Sequence, residues 1–121
     1  MKKVILVADD SPTIRKFVSA SLCLNGFEVV AAADGMEAVE KLPQHKVDLV
    51  ITDLNMPNLD GYEFIKIIRQ NDQYSDIPII ILSSLAGSEE VHKGLSCGAN
   101  SYLIKPFDPK RIQYEVAKYL N

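Results

Sequence analysis

The side chains best suited to phosphate and metal chemistry stand directly after short runs of aliphatic residues. Val4 to Ala8 leads into Asp9-Asp10, and Val47 to Thr52 leads into Asp53. Ile79 to Leu82 leads into Ser83-Ser84, and Tyr102 to Ile104 into Lys105-Pro106. If these runs are neighbouring parallel strands, all four polar ends meet at one edge of one sheet. That edge would hold carboxylates, a hydroxyl and an ammonium group. Carboxylates bind a hard cation, and a cation beside an ammonium neutralises a phosphoryl group.

Each residue type has its own part in such chemistry. Adjacent carboxylates at Asp9 and Asp10 repel, and a divalent cation relieves that repulsion. Mg2+ suits them because it accepts a few carboxylates and keeps waters that a phosphate can displace. An Asp here can also cap the helix that follows, and capping is compatible with metal binding. Asp53 can act as a nucleophile on phosphorus to form an aspartyl phosphate, and its other oxygen can share the Mg2+. Alone, it would read as a turn-forming Asp before the Pro-containing loop Leu54-Asn55-Met56-Pro57. Ser83 can donate to a phosphoryl oxygen, and Lys105 can pair with another as a point charge. Pro106 admits a cis peptide that aims the lysine inward.

The elements that must position these residues follow from periodicity. Buried strands are predicted at Val4 to Val7, Val47 to Ile51, Ile77 to Leu82 and Tyr102 to Ile104, with a weaker one at Phe27 to Ala31. Helical spacing lies between them. After Ser11-Pro12, the residues Ile14, Phe17, Val18, Ser21 and Leu22 share a face, and Asn25-Gly26 ends that helix. Asp34 with Glu37 opens a short helix through Leu42. Gly61 to Gln70 places Phe64, Ile65 and Ile68 together, and Ser88 to Ser96 is a less apolar candidate. Pro109 opens the last helix, with Ile112, Val116 and Leu120 facing inward. Five strands alternating with five helices imply a parallel sheet covered on both faces. The expected class is α/β, a flavodoxin-like doubly wound (βα)5 fold with strand order 2-1-3-4-5. In it the first and third strands flank the crevice where ligands bind. Asp9, Asp10 and Asp53 sit there.

Composition narrows the function classes. The chain has 121 residues, read as one domain over 1–121, and 47% are hydrophobic. Its net charge of −3 and lack of a basic patch argue against direct nucleic-acid binding. No run is long enough for a membrane span, and Asp9-Asp10 interrupts the apolar stretch after Met1-Lys2-Lys3, which argues against a signal peptide. Cys23 and Cys97 form no ligand pattern and read as reduced thiols in or near the core of a cytoplasmic protein. Neither GxxxxGK[ST] nor GxGxxG occurs, which speaks against a nucleotide phosphate cradle. His45 and His92 have no clustered partners, and Tyr114 and Tyr119 read as surface and rim packing.

Taken together, these stretches resemble a known family. Val7-Ala8-Asp9-Asp10-Ser11, Thr52-Asp53-Leu54-Asn55-Met56-Pro57, Asp60-Gly61, Leu82-Ser83-Ser84 and Gly98 to Phe107 occur in the order and at the intervals found in receiver domains of two-component response regulators. The length is similar to that of the stand-alone CheY-like type. The resemblance implies that Asp53 accepts a phosphoryl group from a phosphohistidine on a partner histidine kinase or phosphotransfer protein. It implies that Asp9, Asp10 and Asp53 hold Mg2+, with the backbone carbonyl of Asn55 as a further ligand. It also implies that Lys105 contacts the phosphoryl group. Ser83 takes the hydroxyl switch position, in place of the commoner threonine, and Tyr102 the aromatic one. The fourth helix, fifth strand and fifth helix would then form the surface read by a downstream protein in trans. Leu85 takes a position that, with Asn55, tunes acyl-phosphate lifetime, and its bulk is expected to impede the attacking water.

Other readings are weaker. A haloacid dehalogenase-type phosphohydrolase needs a second carboxylate two residues after its nucleophile, where this chain has Asn55, and a nucleophile after the first strand. A flavodoxin-like cofactor binder would want a phosphate-binding loop where Asp9-Asp10 stands. A scaffold receiver that is never phosphorylated would not need the intact acidic set. The expectation is therefore a switch that performs only its own phosphoryl transfer and hydrolysis. It is expected to be a monomer, with dimerisation through the last two helices on phosphorylation left open.

Overall fold

A computed structural model describes residues 2–120. Met1 and Asn121, the ends of the expected domain and the start of the stretch read for a signal peptide, lie outside the described residues. Five strands form one parallel sheet: β1 (Val4–Ala8), β2 (Glu28–Ala32), β3 (Leu49–Thr52), β4 (Ile79–Ser83) and β5 (Ser101–Ile104). Their order is β2-β1-β3-β4-β5, as expected for the flavodoxin-like class. The helices are α1 (Pro12–Leu24), α2 (Gly35–Lys41), α3 (Gly61–Gln70), α4 (Ser88–Ser96) and α5 (Pro109–Ala117). A short 3-10 turn, Leu42–Gln44, follows α2 where Pro43 cannot continue the helical bonding.

Apart from Thr52 and Ser83 at their carboxyl ends, the inner strands are apolar because helices cover both faces. Leu6, Val50, Ile79 and Ile81 pack with Phe64, Ile65 and Ile68 of α3 on one side. Ile5, Val7, Ile51 and Ile80 alternate to the other side, against Val18 and Leu22 of α1 and Ile112 and Val116 of α5. Side-chain caps start four of the helices: Ser11 accepts from Ile14 N–H, Asp34 from Glu37, Asp60 from Glu63 and Asp108 from Arg111. The Asp60 and Asp108 caps were not anticipated.

Several expectations need correction. β3 begins at Leu49 rather than Val47, and the Asp48 carboxylate turns back to accept Val4 N–H at 2.8 Å. β4 begins at Ile79 rather than Ile77, because Pro78 has no N–H for a ladder. Cys23 is exposed on α1 and is not a core thiol, whereas Cys97 is half-buried. Leu120 lies beyond α5, yet still packs against the core that α5 covers. Among the described residues, no helix is long and apolar enough to cross a membrane.

Candidate functional site

The sheet itself brings the predicted residues together. Ala8 is in register with both Ala32 and Thr52, and Ser83 with Ile104, so the strands stop at a common edge. The ladder continues one residue past each end. Asp9 N–H donates to Ala32 O, Asp53 N–H to Ala8 O and Lys105 N–H to Ser83 O, at 2.8–3.1 Å. The backbone of these three site residues is thus as fixed as the strands.

Lys105 Nζ lies 3.0 Å from Asp9 Oδ2 and 3.1 Å from Asp53 Oδ2. The remaining carboxylate oxygens are held by backbone. Asp9 Oδ1 accepts from Ser11 N–H at 2.9 Å, and Asp53 Oδ1 from Leu54 N–H at 2.7 Å. Asp9 and Asp53 are buried, and Asp10 is exposed at the rim. One carboxylate oxygen from each of Asp9, Asp10 and Asp53 can be chosen so that all lie within 4.8 Å of one another. The Lys105–Pro106 peptide is cis.

Electrostatics follow from burial. Burial pushes the Asp53 carboxyl above its ordinary value, and the Asp9 charge adds to this against the opposing pull of Lys105. Burial works against the charged form of Lys105, but hydrogen bonds and charges from Asp9 and Asp53 outweigh it and raise the ammonium. One ammonium therefore faces three carboxylates, and the cluster carries excess negative charge. An all-oxygen donor set with unbalanced charge fits a hard divalent cation.

The hydroxyl residues sit one strand further along. Ser83 is fully buried, and its Oγ accepts Leu85 N–H at 3.1 Å. Tyr102 is half-buried, and its hydroxyl donates to Leu85 O at 2.7 Å. The two ends of Leu85's backbone are thus held by the two residues expected to switch. Gly94 of α4 makes room for Tyr102, since a Cβ there would meet the Tyr102 ring at 3.2 Å and Ile81 Cδ1 at 2.7 Å. Asn55 is exposed in the loop after β3, and its side chain makes no hydrogen bond among the described residues.

Two features escaped the sequence reading. Arg15 Nη1 donates to the backbone carbonyl of Asp9 at 2.7 Å. Gly61 is required by packing, because a Cβ would lie 2.1 Å from Asp53 O. Asp60-Gly61 signalled the glycine only as part of a resemblance, and nothing in the spacing of Asp9 and Arg15 signals their contact.

Comparison with known proteins bears on the fold and the family. The family model described as response regulator receiver domain matches residues 5–117. The chain is 39% identical over 111 residues to the chemotaxis protein CheY1 of Helicobacter pylori, covering 90% of each. Its fold superposes on the chemotaxis response regulator CheY4 of Vibrio cholerae with a TM-score of 0.93 at 38% identity, over 99% of this chain and 100% of that one. It superposes on the receiver domain of sensor histidine kinase PA1611 from Pseudomonas aeruginosa, solved with a magnesium ion in the active-site cleft, with a TM-score of 0.90 at 30% identity, over 98% of each. The chain spans about half the length of other curated relatives, probable transcriptional regulators that it matches over 98% of its own length.

Proposed function

The chain belongs to the response regulator receiver domain family, and from that premise we propose that it is a phosphorylation-dependent switch with Asp53 as phosphoryl acceptor. The convergence of Lys105, Asp9 and Asp10 on the Asp53 carboxylate carries this reading. Receiver domains in general are signalling switches rather than enzymes with a separate substrate, and this chain is read in the same way. It is read as one domain over 1–121, in the cytoplasm, monomeric before phosphorylation and with dimerisation on phosphorylation as the alternative.

Asp9, Asp10 and Asp53 would hold Mg2+, with the Asn55 carbonyl as a further ligand. Bound there, the ion supplies the positive charge that offsets the carboxylates and the incoming phosphoryl oxygens. The donor is a phosphohistidine on a partner histidine kinase or phosphotransfer protein. An Asp53 carboxylate oxygen attacks phosphorus; the P–O bond forms as the P–N bond breaks, and the imidazole leaves with that electron pair and takes up a proton. The backbone N–H of Leu54 keeps the carboxylate oriented throughout. Lys105 transfers its contact from the Asp53 carboxylate to a phosphoryl oxygen.

The Ser83 hydroxyl accepts from Leu85 and still has its own proton to give to the phosphoryl group. Its movement is felt at Leu85, whose carbonyl receives the Tyr102 hydroxyl. A local charge event thereby biases the packing of Tyr102 under α4. Leu95 on α4, Ile104 on β5 and Tyr114 on α5 are large apolar side chains with 42%, 43% and 60% exposure. They give a protein target in trans a surface to read.

The test is transfer from a labelled phosphohistidine donor. Label that moves to the parent chain, is released by hydroxylamine and is absent from Asp53→Asn supports the proposal. Label that still moves to Asp53→Asn contradicts it.

A further inference from the structure

We infer that Arg15 is a positioning residue for the cation site, acting through the Asp9-Asp10 peptide. The inference rests on the reading of Asp9, Asp10 and Asp53 as that site.

Asp9 is held at four points. Its N–H donates to Ala32 O, its Oδ1 accepts Ser11 N–H and its Oδ2 takes the Lys105 ammonium. The fourth point is its carbonyl, which accepts from Arg15 Nη1 at 2.7 Å. That carbonyl belongs to the peptide unit joining Asp9 to Asp10. The first three contacts orient the Asp9 carboxylate. The Ser11 bond also closes a turn across the Asp9-Asp10 peptide, and the Arg15 bond holds that peptide from its carbonyl side. Asp10 is exposed and makes no side-chain hydrogen bond among the described residues, so packing does not aim it. The Arg15 clamp is therefore a second restraint on the backbone from which the Asp10 carboxylate approaches Asp9 and Asp53.

Arg15 is itself well placed to act as a fixed point. It lies on the first turns of α1, and its N–H bonds to Ser11 O at 3.0 Å. Among the described residues it makes no ion pair. Arg15 is a half-buried residue beside an acidic cluster, yet its guanidinium bonds a neutral carbonyl rather than a carboxylate. A charged donor on a backbone carbonyl makes a strong and directional hydrogen bond. Groups that orient metal ligands from behind typically contribute about 10–100-fold to affinity.

A simple charge effect has the opposite sign. A guanidinium near the site repels Mg2+, so removing it would tighten binding if charge alone mattered. Mg2+ titrations followed by calorimetry, with the melting temperature of the metal-free protein measured alongside, separate the two. For Arg15→Met the dissociation constant for Mg2+ is expected to rise about tenfold, with Arg15→Lys intermediate because it keeps one donor and the charge. Arg15→Gln is shorter, cannot reach the carbonyl from the same backbone, and serves in place of Arg15→Met if that variant does not fold. Unchanged or tighter Mg2+ binding in the Met or Gln variant overturns the inference. A parent chain that binds no Mg2+ overturns the site reading itself, and this inference with it.

Discussion

The Lys105 ammonium reaches across the end of β4 to lie 3.1 Å from Asp53 Oδ2, joining the ends of β5 and β3. The pair is not balanced. Asp9 shares the same ammonium at 3.0 Å, and burial leaves Asp53 harder to ionise than an ordinary carboxyl. A site arranged this way stores an electrostatic penalty that a cation or a phosphoryl group relieves.

The penalty is measurable as stability. A carboxyl whose value is raised in the folded state binds its proton more tightly folded than unfolded. Ionising Asp53 therefore costs stability at neutral pH, and the cost vanishes below the unfolded carboxyl value of 3.8. Without Mg2+, Asp53→Asn is expected to melt a few degrees above the parent at neutral pH. The gap should close as the solution is acidified toward the unfolded carboxyl value. Equal or lower melting of the variant at neutral pH, measured by circular dichroism, would contradict the assignment.

Lys105→Met is expected to have the reverse effect. It leaves Asp9 and Asp53 facing each other without their shared cation. Fully buried pairs lose about 3–5 kcal/mol when one partner is removed. This site opens to water at Asp10 and Lys105, so about 1–3 kcal/mol is expected. Mg2+ should then restore more stability to the variant than it adds to the parent. A variant as stable as the parent in metal-free buffer would count against a coupled cluster.

Gly61→Ala tests the packing beneath Asp53. The new Cβ would sit 2.1 Å from Asp53 O and 2.8 Å from Leu54 Cα, both backbone atoms that cannot turn aside. A loss of about 2–3 kcal/mol is expected, with weaker Mg2+ binding as Asp53 is displaced. Gly26→Ala is the contrast, because nothing lies within 4 Å and only its φ of +90° is strained. It should cost about 1 kcal/mol and leave Mg2+ binding unchanged. Equal effects in chemical denaturation would argue against a special role for the Asp53–Gly61 contact.

Leu85 addresses the lifetime of the phosphorylated state. Its N–H and C=O are held by Ser83 and Tyr102, so Leu85→Ala trims the side chain and leaves the backbone anchored. Phosphate release from the phosphorylated variant is expected to be several-fold faster than from the parent. A rate no faster would remove Leu85 as the barrier to attacking water.

Much of this site was legible because buried parallel strands leave a plain signature. VILVA, LVIT and IIILS are apolar but for the last residue of the latter two, Thr52 and Ser83, and each run points to the polar residues at its end. The parallel sheet followed from alternation with helices, and its order from the flavodoxin-like arrangement common at this size. Where the reading failed, side chains or missing donors had overridden propensity. Val47 and Ile77 are apolar and β-branched, yet the ladder starts after Asp48 has turned back on Val4 and after Pro78. The contacts made by arginines were invisible for a different reason. Arg15 bonds Asp9 O, and Arg69 ties together Gly98 O, Ser75 O and Ile77 O. A backbone carbonyl is present at every position, so no residue type marks where such a bond will land.

The central claim is that Asp53 is the phosphoryl acceptor in a site that requires Mg2+. Intact mass after incubation with phosphoramidate or acetyl phosphate, with and without Mg2+, tests it most directly in the parent and in Asp53→Asn. The prediction is a gain of one phosphoryl group in the parent that depends on Mg2+ and is absent from the variant. No gain by folded parent protein in Mg2+, or the same gain by Asp53→Asn, would contradict it.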